Sequence, residues 1–112
     1  MNRLPYLHVM PRVRNDIKKC LHFVGRLPWG KSDARLLDIL SGIERALLWP
    51  ASNRAAVWRP LTGLELRRCK AAQFSIIYAY LPSSPTHPRG VVSIRAVRHS
   101  RVRDVFAGVR EP

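Results

Sequence analysis

Among the side chains that can do chemistry, His99 is the natural proton carrier, because an imidazole titrates close to neutral pH without help from its surroundings. Arg68, Lys70 and Arg95 can hold positive charge against a phosphate. Cleavage of RNA by the neighbouring 2'-hydroxyl asks for that combination: a proton acceptor, cations for the charge growing on phosphate, and a donor for the leaving oxygen. Tyr78 or Tyr80 can stack on a base. In extended chain Arg95, Val97 and His99 fall on one face, as do Leu66, Arg68 and Lys70.

Each of these residues also has a plainer use. His99 follows the last strand-like run and can cap the segment after it, a use of equal weight. Arg67 and Arg68 can be solvated strand residues, and adjacent residues point to opposite faces, so at most one of them lines a pocket. Tyr78 and Tyr80 share a face and suit packing. Glu65 is a conceivable base, but Arg67 lies two residues along the same face and an ion pair is the simpler expectation. His8, His22 and His87 do not cluster in sequence with His99 and receive no chemical role.

The elements that position these residues must come from a chain of 112 residues, one domain spanning 1–112 with one core. Hydrophobic residues at 46% and charged residues at 24% fit a folded chain. Twenty Lys and Arg against seven Asp and Glu give a net charge of +13, so the partners expected are anionic: nucleic acid, ribosome, a membrane surface or an acidic protein. A solubilising shell explains the same charge less specifically. Cys20 and Cys69 have neither metal-ligand spacing nor a disulfide framework, and are expected as buried free thiols. No metal or cofactor is implied. The first residues lack the apolar run of a secretion signal and no stretch is long enough to cross a bilayer, so a cytoplasmic protein with no membrane partner is expected.

Leu4 to Met10 reads as a strand ended by Pro11. Val13, Ile17, Leu21, Val24 and Leu27 then recur at helical spacing from Pro11 to about Leu27. Pro28 and Gly30 break that helix, and Ser32 or Asp33 can cap a second one running to about Trp49, with Leu36, Leu40, Ile43 and Leu47 on its stripe and Pro50 as its stop. After a loop, Leu64 to Lys70, Gln73 to Leu81 and Val91 to Val97 predict a three-stranded antiparallel meander. Pro82 to Gly90 is too rich in proline to pair and reads as a mobile loop or an insertion. Ser100 to Val109 can form a short helix. Trp29, Trp49 and Trp58 sit near turns and helix ends, where such rings seal core edges, and Trp58 with Arg59 can also mark a partner's groove. The fold class is α+β, with the helical hairpin packed on one face of a small twisted sheet.

That order resembles the RelE/ParE superfamily of type II toxins, the plasmid stabilisation proteins. The resemblance covers nearly the whole chain and is carried by Asp16-Ile17, Gly63-Leu64-Glu65-Leu66-Arg67-Arg68, Phe74-Ser75-Ile76-Ile77-Tyr78 and Ile94-Arg95-Ala96-Val97-Arg98-His99, followed by Arg101 and Arg103-Asp104. It implies a toxin held inactive by a cognate antitoxin protein, acting either as a ribosome-dependent endoribonuclease on messenger RNA or as a poison of DNA gyrase. It would bring Arg68, Lys70, Tyr78, Arg95 and His99 close together as catalytic candidates. Arg67, Arg98, Arg101 and Arg103 would contact nucleic acid, with the antitoxin as the alternative partner of Arg67 and Arg68. Two departures touch the site: the 82–90 loop exceeds the family's tight hairpin, and the ending after His99 is one residue longer. The alternative is a noncatalytic basic nucleic-acid-binding module, or an inactive relative.

Overall fold

The structure, a computed structural model, describes residues 4–25, 32–52, 55–59 and 64–99, without the side chains of 23–25, 32, 55–59 and 64. In chain order the elements are β1 (Tyr6–Val9), α1 (Arg12–Gly25), α2 (Ser32–Leu48), β2 (Ala55–Arg59), β3 (Leu64–Ala71), β4 (Phe74–Leu81) and β5 (Val91–His99). The class is α+β, two helices against one mixed sheet of order β1-β5-β4-β3-β2.

The three strands from Leu64 onward pair antiparallel in chain order, β3-β4-β5, but they form part of a larger, mixed sheet instead of a three-stranded one. Strand β1 pairs in parallel with the first half of β5, and β2 adds an antiparallel strand outside β3. A parallel neighbour requires a long connection, here most of the chain, and no local pattern announces it. Strand β2 falls in a stretch whose flanking Pro and Asn residues had suggested a loop. The terminal segment from Ser100, the Leu27–Lys31 turn, and the side chains of Trp29 and Trp58 lie outside the described residues.

Helix α1 follows Pro11, which has no N–H to lose in a first turn. The backbone N–H of Val13 reaches the carbonyl of Met10 at 2.9 Å. Its inward stripe is Val13, Ile17, Cys20 and Leu21. The inward stripe of α2 differs from expectation: Ile39, Ile43, Ala46 and Leu47 pack on the core, whereas Leu40 is 48% exposed. The small residues explain the rotation. A Cβ on Gly42 would stand 2.5 Å from the Ala71 Cβ and 2.9 Å from the Ile76 Cγ1, so α2 lies against β3 and β4 at a distance that only glycine allows.

Cys69, Ala71, Phe74, Ile76, Tyr78, Val92, Ile94 and Val97 meet the helices. The opposite face of the sheet is also covered at its centre, where Leu66, Ile77, Ala79 and Ala96 are buried. Cys20 and Cys69 are free and buried. Trp49 does not seal the core edge, being 60% exposed. Among the described residues no helix is long and apolar enough to cross a membrane.

Candidate nucleic-acid interface

Strand register assigns each candidate side chain to a face. Lys70 pairs with Ser75, and Ser75 with Arg98; Arg68 pairs with Ile77, and Ile77 with Ala96. These rows belong to the face turned away from the helices. Phe74, by contrast, packs in the helix-side core and pairs with His99.

A bulge decides where Arg95 goes. Ile77 pairs with Ala96 and the next residue, Tyr78, with Ile94, so Arg95 is one residue more than β4 can match. Such a bulge sets both Arg95 and Ala96 opposite Ile77, in the row of Arg68. It also resets the alternation, so Val97 reaches the helix-side core although Ile94 does too. The expectation that Arg95, Val97 and His99 share a face therefore fails for Arg95.

Arg68, Lys70 and Arg95 thus gather around a buried floor of Ser75 and Ile77. Arg68 Nε donates to Ser75 Oγ at 2.8 Å, which fixes the guanidinium in place. Lys70 is exposed, while Arg68 and Arg95 are half-buried. Arg45 on α2 donates to the Lys70 carbonyl at 2.7 Å. Arg68, held by a hydrogen bond to a buried hydroxyl, and Lys70 and Arg95 beside it make this face of the sheet cationic, the charge that phosphate oxygens seek.

His99 does not join them. Its ring meets Phe74 edge-on at 5.7 Å on the other face. Tyr78 is fully buried beneath the helices, with its hydroxyl donating to the Pro50 carbonyl at 2.7 Å, and so presents no ring to a base. Arg67 shares Tyr78's row and pairs with Glu65 at 3.3 Å, the ion pair anticipated from their spacing. Arg98 starts in the row of Ser75, but its guanidinium reaches Asp16 of α1 at 3.2 Å. Arg101 and Arg103 lie outside the described residues.

Asp16 is the strongest polar feature that the sequence did not single out for a role. It is 4% exposed. One oxygen accepts the Val97 backbone N–H at 3.1 Å, and the other faces Arg98. The reason is positional. Strand β1 ends opposite Ile94, where the Met10 N–H reaches the Ile94 carbonyl, so beyond that point the edge of β5 needs another acceptor. Nearby, the Cys20 thiol donates to the Val97 carbonyl at 3.9 Å. Burial, reinforced by the Asp16 charge and opposed by Arg98, pushes this thiol up to about 11 from 9.0, which makes it a poor nucleophile.

Two histidines without an assigned role turn out to lie on the cationic side of the sheet or beside it. His8 pairs in register with Ser93, and its Nδ1 lies 3.0 Å from the Ser93 hydroxyl. His87 stacks on Tyr6. Their placement depends on the parallel pairing of β1 with β5, so no local sequence signal could have revealed it.

Among the described residues, no group of three or more His, Cys, Asp or Glu side chains could hold a metal ion. No family model matches the chain, and neither does any curated protein.

Proposed function

We propose that the protein is the toxin of a type II toxin-antitoxin pair, of RelE/ParE type, whose cationic sheet face engages RNA and whose cognate antitoxin neutralises it. The observation that carries this reading is the gathering of Arg68, Lys70 and Arg95 on one face of the sheet, with the helical hairpin on the other. The net charge of +13 supports an anionic target and an acidic antitoxin segment. Ribosome-dependent cleavage of messenger RNA fits this cationic face, with phosphate held by Arg68 and Lys70. His99 stands apart from them, so it is not their proton carrier. That same separation favours, as the second reading, an act without cleavage: poisoning of DNA gyrase, or simple nucleic-acid binding by an inactive relative.

Induced expression of the full chain tests this. The expected result is growth arrest, relieved by the product of the adjoining gene, with new message 5' ends inside translated codons. Those ends should vanish in Arg68→Ala and persist in His99→Ala. Harmless expression would overturn the toxin reading. DNA breaks with intact messages would replace the ribonuclease act by gyrase poisoning.

A further inference from the structure

The same sheet face continues beyond the cations to a second feature. Tyr6 pairs in register with Val91, and Val91 with Leu81; His8 pairs with Ser93, and Ser93 with Ala79. Tyr6 and His8 therefore share the face of Arg68 and Lys70, at the other end of β5. Tyr6 is 54% exposed and stacks on the His87 imidazole, with ring centroids 4.7 Å apart and planes 20° from parallel.

The loop that supplies His87 is held rather than loose. Ser84 N–H donates to the His87 carbonyl and His87 N–H to Ser84 Oγ, both at 3.0 Å, while Gly90 N–H donates to the His87 carbonyl at 2.8 Å. Tyr6 N–H in turn donates to the Gly90 carbonyl at 2.9 Å, tying β1 to the loop. Gly90 has φ +91°, and a Cβ there would lie 2.5 Å from the Leu81 carbonyl oxygen, so this closure needs glycine. The Pro82–Gly90 segment, expected as a mobile loop or an insertion, is thus a wall hydrogen bonded within itself and to β1.

Between this wall and β1 lies a groove of about 410 Å3, lined in part by Pro5, Tyr6, Leu7, His87, Pro88 and Arg89. Its size suits a small flat ligand, since such sites span roughly 300–1,000 Å3. Its chemistry combines a stacked aromatic platform, proline and leucine flanks, and a guanidinium. Single-stranded nucleic acid is bound by that pairing of rings for bases with cations for the backbone.

We propose that the groove between β1 and the 82–90 loop is a nucleobase-binding site, in which a base of a single strand stacks on the Tyr6–His87 platform while its backbone follows β5 towards Arg95 and Arg68. Arg95 lies four positions beyond Val91, about 13 Å along the strand. His8, hydrogen bonded to Ser93, stands between the two ends, where it can meet a sugar hydroxyl or a phosphate oxygen. Charge supports this occupant over an apolar peptide, because the cations continue the groove along one face of a chain carrying +13.

This inference rests on the cationic face being the nucleic-acid face, and the test separates the two. The full-length protein is titrated, by fluorescence anisotropy, into a labelled hexanucleotide and into its abasic counterpart of equal charge, each as RNA and as DNA. Base-bearing strands should bind about tenfold more tightly than abasic ones. Tyr6→Ala and His87→Ala should abolish that ratio and Tyr6→Phe should keep it, whereas Arg68→Ala should weaken both strands alike. A ratio seen only with RNA or only with DNA supports the site and identifies the sugar it accepts. Equal binding of base-bearing and abasic strands would overturn the base site while leaving the cationic face intact. No binding of either, even at low salt, would overturn both. A ratio that survives Tyr6→Ala would also overturn the base site, by locating base recognition elsewhere.

Discussion

The two faces of the sheet treat charge in opposite ways. On the helix side Asp16, Arg98 and the Val97 N–H are enclosed together, and each serves another group of the protein. On the second face Arg68 is steadied by Ser75, while Lys70 and Arg95 stand with it around a buried floor. A buried charge with a complete set of partners fixes structure. Cations gathered on one face make a positive surface, which favours a polyanion.

The comparison can be broken most forcefully at Asp16. Asp16→Ala leaves the Val97 N–H without its acceptor and the Arg98 guanidinium without its carboxylate, at a cost of about 3 kcal/mol. The midpoint of urea unfolding should fall accordingly, with hexanucleotide binding of the remaining folded protein unchanged. A loss of binding larger than the loss of stability would show that the two faces are not separable. Gly42→Val probes the same side by crowding Ala71 and Ile76, and should cost about 2 kcal/mol by the same measurement.

The smallest expected effect concerns alkaline pH. The Cys20 thiol is raised from 9.0 to about 11 in the folded protein, so between those values the unfolded chain has released a proton that the folded chain still holds. The unfolded state binds fewer protons there, and stability must fall as pH rises through that window. Below about pH 9 this contribution is fully present. Unfolding midpoints from pH 8 to 11 should therefore decline less steeply in Cys20→Ala than in the natural chain, and equal slopes would assign the decline to other groups.

Periodicity made the helices and three of the strands legible, because Val13, Ile17 and Leu21 keep helical spacing and the Ile, Val and Tyr runs do not. It failed in part on α2, where Ile43 and Leu47 do face the core but counting large residues also favoured Leu36 and Leu40. The inward side includes Gly42 and Ala46, whose small size is what brings the helix close. It failed again at Arg95, since alternation assumes an unbroken ladder and one unmatched residue reverses the parity of everything after it. Of the five residues expected together, the register therefore gathers Arg68, Lys70 and Arg95 on one face and leaves Tyr78 and His99 on the other. Tyr6, His8 and His87 carried no local sign of their place, because only the pairing of the first strand with the last defines it.

That pairing has a temporal consequence. His8 and Ser93 are 85 positions apart, so the edge strand finds its neighbour only after almost all of the described chain has been synthesised. Contacts of such long range close late and slow the folding of small domains. The Tyr6 platform should then be among the last surfaces to mature, and a growing polypeptide still short of β5 would have no such surface to offer.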